Sequence, residues 1–150
     1  MGLDCSHDAF HGSYRAFDYL RRLVCAATGG SYPPHWVVDE KGHPIKDKNG
    51  RIVRHEGLDE RWFYFGDEYS KKKCPGLTLF LSHSDCDGEI SPEMCTVVAD
   101  ELSELMPKIR AMQWEPWGHI VSAGGYAACV QRFIDGCRAA AKAGEPLMFE

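Results

Sequence analysis

The sequence predicts an α+β fold: about three helices packed on a small, mainly antiparallel sheet, with a polar β-hairpin excursion. Three observations lead there. Apolar residues recur at helical spacing near both ends of the chain and after residue 90. Asn49-Gly50 sits between extended residues, a strong hairpin signal. Leu77-Thr78-Leu79-Phe80-Leu81 is an apolar run bounded by Pro75-Gly76 and Ser82-His83, which reads as a strand.

The elements follow in order. Residues 9–27 read as a helix, with Phe10, Tyr14, Phe17, Leu20 and Val24 on one stripe. Gly29-Gly30 ends it and Pro33-Pro34 prevents a restart. About 33–60 is polar and turn-rich, a surface β insertion, and Trp62-Phe63-Tyr64-Phe65 is a short strand candidate. After the 77–81 strand, Ser91 is a good N-cap and Pro92 suits the first helical position. Met94, Val98, Leu102 and Leu105 form the buried stripe of that helix, and Pro107 closes it. Residues 113–125 are irregular. The last helix runs from about 125 to 143, with Tyr126, Val130, Phe133, Cys137 and Ala141 inward and Gly144 at its end. Pro146–Phe149 reads as a short edge strand. No internal repeat, low-complexity tract or linker interrupts the chain.

With 150 residues the expectation is a single domain able to bury its own core. A net charge of −5 disfavours non-specific nucleic-acid binding, which needs a positive field. Lys71-Lys72-Lys73 reads as a solvated loop. No apolar stretch is long enough for a transmembrane helix. The seven cysteines are odd in number and no secretory leader precedes them, so a reducing, cytoplasmic setting is expected. Cys25, Cys129 and Cys137 read as core, whereas Cys5 and Cys86 sit beside histidines and carboxylates. Met1-Gly2-Leu3-Asp4-Cys5-Ser6 also fits the loose N-myristoylation pattern, a short match that is common by chance.

The chemistry-bearing residues concentrate in His83-Ser84-Asp85-Cys86-Asp87-Gly88-Glu89, between the expected strand and a capped helix. Such a crevice offers helix N–H groups to an anion, and hard oxygen ligands plus imidazole suit a divalent metal. Asp85, Asp87, Gly88 and Ile90 match part of a calcium loop, but His83 and Met94 stand where its end carboxylates belong. His-x-Asp-x-Asp-Gly after a strand also looks like the first motif of DHH-type phosphoesterases, whose later Asp and Asp-His-His this chain lacks. The plain alternative is a set of Asx-turns closed by Gly88 and the Ser91 cap. A second cluster is Cys5, His7 and His11. If a helix began near Cys5, the two histidines would share a face at a metal-binding spacing. His119 lies in a loop with Trp114 and Trp117, which could stack on a base or ring. There is no nucleophile elbow, P-loop, dinucleotide fingerprint or Cys-x-x-Cys pair.

Met1-Gly2-Leu3-Asp4, His7, His11-Gly12 and Tyr14 resemble the opening of a family of small uncharacterised phage and prophage proteins. His83-Ser84-Asp85-Cys86-Asp87-Gly88-Glu89-Ile90 with Pro92-Glu93 is similar to that family's most recognisable segment. Gly118-His119-Ile120, Phe133-Ile134-Asp135-Gly136 and Gly144-Glu145-Pro146-Leu147 extend the resemblance to the end, while about 33–60 stands outside it. The resemblance implies a phage origin and a bacterial host cytoplasm, which lacks the myristoyl transferase.

The expected function is a phage accessory protein that binds and sequesters a small phosphorylated or nucleotide-like ligand, such as a host defence signal. His83, Asp85, Asp87, Gly88 and His119 would line the site, with Trp114 or Trp117 stacking. One alternative is a metal-dependent hydrolase with His7, His11, His83, Asp85 and Asp87 around a divalent ion. Another is an inhibitor that blocks a host protein through the excursion. A homo-oligomer is compatible with all three.

Overall fold

The structure, a computed structural model, describes residues 2–150. The chain opens on a hairpin rather than a helix. β1 (Gly2–Cys5) pairs antiparallel with β2 (Phe10–Ser13), Leu3 opposite Gly12 and Cys5 opposite Phe10. Alternation explains the correction: Leu3 and Cys5 are buried, while Gly2 and Asp4 face out. α1 (Tyr14–Ala27) then starts at Ser13, whose Oγ accepts the Ala16 N–H at 3.0 Å. Phe17, Leu20 and Val24 are fully buried, as their spacing predicts.

The excursion is a closed ring of three extended segments. Trp36 lies opposite Arg54, Val38 opposite Pro44, and Lys46 opposite Ile52, so each segment pairs with both others. Its two tight turns are copies. Asp39 Oδ1 accepts the N–H groups of Lys41 and His43, and Asp47 Oδ1 those of Asn49 and Arg51. Gly42 and Gly50 follow at φ 86° and 78°, conformations that favour glycine. The Asp-x-x-Gly unit thus recurs within 39–50, an internal repeat that the sequence reading missed. Of the 62–65 strand candidate only Tyr64 pairs, opposite Ser31.

A one-turn helix, α2 (Asp67–Ser70), precedes α3 (Pro75–Ser82). The expected strand at 77–81 is therefore a helix. Leu77, Phe80 and Leu81 are buried at helical spacing while Thr78 is exposed. Pro75 occupies the first turn. The Glu101 carboxylate accepts the N–H groups of Gly76 at 2.9 Å and Leu77 at 3.2 Å, a cap supplied from elsewhere in the chain.

The loop after α3 leads to β3 (Glu89–Ile90) and α4 (Pro92–Ala111). Ser91 caps α4 as expected, accepting the Met94 N–H at 3.2 Å. Pro107 does not close α4. The helix runs four residues beyond it because Leu105, Met106 and Ile109 are all buried and hold the final turns in place. A single turn, α5 (His119–Ser122), precedes α6 (Tyr126–Ala143), which ends at the left-handed Gly144 as expected. β4 (Leu147–Met148) pairs antiparallel with β3. Beyond it, Asp4 and Glu150 exchange backbone hydrogen bonds of 3.0 and 2.8 Å, so the C-terminal strand lies between β3 and β1 instead of at an edge.

The fold is α+β, with six helices and two two-stranded antiparallel sheets among the described residues. α4 packs along α6, and α1 and α3 close over them. Phe17, Phe80, Phe133 and Phe149 meet at the centre with ring centroids 5.0–6.4 Å apart. Helix-on-helix contacts thus carry the core, and the small sheets close one side of it.

Candidate functional site

The loop 83–88 is built as a structural clasp. The two ring nitrogens of His83 face the backbone carbonyls of Ser84 at 2.8 Å and Glu89 at 3.0 Å. Its ring packs on Phe149, centroids 4.2 Å apart. Its own carbonyl accepts from Arg21. Asp87 accepts the Ser84 hydroxyl at 2.7 Å. Gly88 has φ 93°, and a Cβ there would meet His83 Cε1 at 3.3 Å. Phe149 N–H then donates to the Gly88 carbonyl at 2.9 Å. These contacts explain the His, the Ser, the second Asp and the Gly by local hydrogen bonding, the plain alternative raised by the sequence.

The two histidines near the start do not share a helix face. His7 sits in a turn at φ 55°, followed by Asp8 at φ 60°, two consecutive non-glycine residues in the left-handed region. His7 Nε2 lies 3.1 Å from Glu145. His11, on β2, points one ring nitrogen at Asp4 (2.8 Å) and the other at Asp8 (2.5 Å). These two carboxylates, Asp4 foremost, push its imidazole above the ordinary value. Arg132 on α6 grips both oxygens of Asp8 at 3.0 Å, and together with His11 holds that carboxyl below its usual range. The network ties the strained turn to α6.

The expected metal set therefore does not converge. Cys5 pairs with the C-terminal strand on one side, and Gly88 bonds to it on the other. Two strand spacings, about 10 Å, separate those backbones. Among the described residues no three His, Cys, Asp or Glu side chains are placed to share a metal ion. Cys5 is buried, and desolvation pushes its thiol up to about 12. Cys86 is exposed, and all seven cysteines are free.

A concave feature with convergent aromatic and polar groups lies elsewhere, where the β excursion meets the helical body. It is a cleft of about 380 Å³, within the range of small-ligand sites. Trp114, Trp117, Tyr19 and Tyr126 supply its aromatic walls. Tyr19 stands edge-on to Trp117 at 5.0 Å, and Trp114 edge-on to Tyr126 at 6.2 Å. Gly42 lets the excursion press on Trp114, since a Cβ there would fall 2.4 Å from its Cδ2. Arg15 and Lys41 bring positive groups to the rim, and His43 an imidazole. Glu115 pairs with Lys41 at 3.4 Å and His43 at 3.2 Å, while Arg15 has no ion pair among the described residues and lies 5.8 Å from the Trp117 ring. The indole Nε1 of Trp117 is buried without a hydrogen-bond partner.

The structure thus divides the expected site. Trp114 and Trp117 share the cleft, as the stacking expectation requires. His83, Asp85, Asp87 and Gly88 do not line it. His119 lines a separate, small hollow with His11 and Arg132. Arg15, Tyr19 and Tyr126 were missed. Arg15 and Tyr19 are four apart on α1, one helical face, but both lie off the apolar stripe on which the helix was read. Among the described residues no helix is long and apolar enough to cross a membrane. Compared with family models, curated proteins and solved structures, the chain finds no match in any of the three.

Proposed function

We propose that the protein binds and sequesters a small, planar, phosphorylated ligand of nucleotide type in the cleft between the excursion and the helices. The observation that carries this reading is the convergence of four aromatic side chains with Arg15, Lys41 and His43 around about 380 Å³. A base stacks on aromatic faces whatever its identity, and cations at the rim suit its phosphate. Arg15, without a carboxylate partner among the described residues, is the group best placed to meet that phosphate. The resemblance to phage and prophage proteins supplies an origin and a setting, a bacterial host cytoplasm, in which a host defence signal is one ligand of this type. On this reading the 83–88 loop supports the fold rather than the ligand.

The test is thermal unfolding with a panel of nucleotides, with and without divalent metal and after chelation. A ligand at a hundred times Kd stabilises by about 2.7 kcal/mol, a Tm rise of roughly 5–10 °C for a chain of this size. Trp117→Ala removes one stacking face, worth about 1–3 kcal/mol, and should weaken binding at least fivefold. A nucleotide recovered intact supports sequestration. A metal-dependent shift with cleavage would replace it with the hydrolase. No shift with any nucleotide would refute the reading.

One observation favours the inhibitor reading as a second choice. Ile45 and Ile52 are large, exposed apolar residues on the excursion ring. Replacing both with Ser should then abolish partner binding and leave nucleotide binding intact.

A further inference from the structure

We infer a second ligand site, independent of the aromatic cleft, at which Arg21 receives the phosphate or carboxylate of a small, single-ring acid. Arg21 and Arg22 are neighbours on α1 and both are about 94% buried, yet they are provided for differently. Arg22 pairs with Asp18 at 3.1 Å and donates to the carbonyls of Tyr32, Pro33 and Pro34. Arg21 has no carboxylate partner among the described residues. It donates to the His83 carbonyl and stacks over Phe17 at 4.5 Å. The Nε of each arginine is buried with no acceptor, so the missing carboxylate is what sets Arg21 apart. A guanidinium cannot shed its proton, so burial without a counter-ion is costly. Buried charges in folded proteins are normally paired.

The missing anion has a place to sit. Arg21 forms part of the wall of a cleft of about 260 Å³, between the chain around 61–63 and the end of α3. Trp62 also lines it and is 61% exposed, more than any other large apolar side chain among the described residues. Phe63, Leu81 and Pro33 complete an apolar wall, and Tyr32 adds a hydroxyl. Arg61 stands at the rim, its charge already matched by Asp59 at 2.8 Å. The volume falls just under the usual range for drug-sized ligands, which limits the occupant to one ring or less. An inward cation, an apolar wall and an exposed indole together select a compact acid with a flat body. Arg21 also holds the His83 carbonyl, so an occupant of this cleft would touch the base of the 83–88 clasp.

Isothermal titration with inorganic phosphate, phenyl phosphate and benzoate tests the site. Saturable binding of phenyl phosphate or benzoate is expected, tighter than inorganic phosphate. Trp62→Ala, a surface change, should weaken the ring-bearing probes about tenfold and leave inorganic phosphate within twofold. Arg21→Met, if circular dichroism shows it folded, should abolish binding of all three. Trp117→Ala should change nothing here, which separates this site from the aromatic cleft. Absence of saturable binding by all three probes, an unchanged ring preference in Trp62→Ala, or an equal loss in Trp117→Ala would overturn the inference.

Discussion

Gly42 and Gly50 occupy equivalent positions in the two Asp-x-x-Gly turns, which makes them an internal control. Both have positive φ, 86° and 78°, so alanine at either site bears the same left-handed penalty, about 1–2 kcal/mol. They differ in surroundings. A Cβ at Gly50 meets nothing within 4 Å, whereas at Gly42 it falls 2.4 Å from Trp114 Cδ2 and 2.7 Å from Cγ. Trp114 is buried against Tyr126 and cannot simply swing away. Overpacking of this kind costs about 1–3 kcal/mol. Gly50→Ala should therefore cost about 1–2 kcal/mol and Gly42→Ala about 2–5 kcal/mol. Denaturant unfolding reads the global part. Amide exchange at Val37, Ile45 and Val53, whose N–H groups close the ring, reads any local opening. Gly42→Ala should also weaken nucleotide binding, because Trp114 is a wall of the cleft. Equal losses for the two variants by both methods would refute the claim that the excursion is seated on Trp114.

Other consequences are independent of that seat. His83→Ala removes the Phe149 contact and the link to the Glu89 carbonyl. It should cost about 1–3 kcal/mol by denaturant unfolding while leaving nucleotide affinity within twofold; a tenfold affinity loss would return the loop to the ligand site. Gly136→Ala sets two effects against each other. Helix propensity favours alanine by about 1 kcal/mol, but its Cβ would lie 2.4 Å from that of Ala9. The clash should win, giving net destabilisation. The His11 network sets a pH window. The raised imidazole stabilises the fold below its unfolded value, about 6.5, and that contribution fades as pH rises through the higher folded value. The lowered Asp8 carboxyl contributes above about 4 and is lost as pH falls through its folded value. Both groups are exposed, so the stability change is small. The direct readout is the NMR titration of His11, which should lie above the ordinary histidine value and fall in Asp4→Asn.

The three long helices were legible because periodicity and caps are local. Ser91, Pro92 and Gly144 act as the sequence says. The 77–81 run was not legible, since five apolar residues fit a strand or a buried helix equally well. What decides for helix is the Glu101 cap, 24 and 25 residues away, which no local pattern displays. The opening hairpin was hidden for a related reason. Phe10 lies on the helical stripe of α1 and yet belongs to β2, because β1 offers it a pairing partner. The Asp-x-x-Gly repeat is visible in the sequence, where the stretch shows otherwise only as polar and turn-rich with one Asn-Gly hairpin signal. At the site, Trp114 and Trp117 stood out as clustered aromatics. The cleft needed the excursion folded back to bring Lys41 and His43 to them, and Arg21 needed its burial to be known. The 83–88 motif drew attention by composition, although most of its polar groups serve its own turns.

The central claim is that the aromatic cleft holds a planar anion. The protein has four tryptophans, each with an indole N–H that NMR resolves separately. Titration with nucleoside monophosphates should shift the Trp114 and Trp117 indole signals saturably and together, with Trp36 and Trp62 unmoved. Saturable shifts that spare Trp114 and Trp117, or no saturable shift at all, would contradict the account.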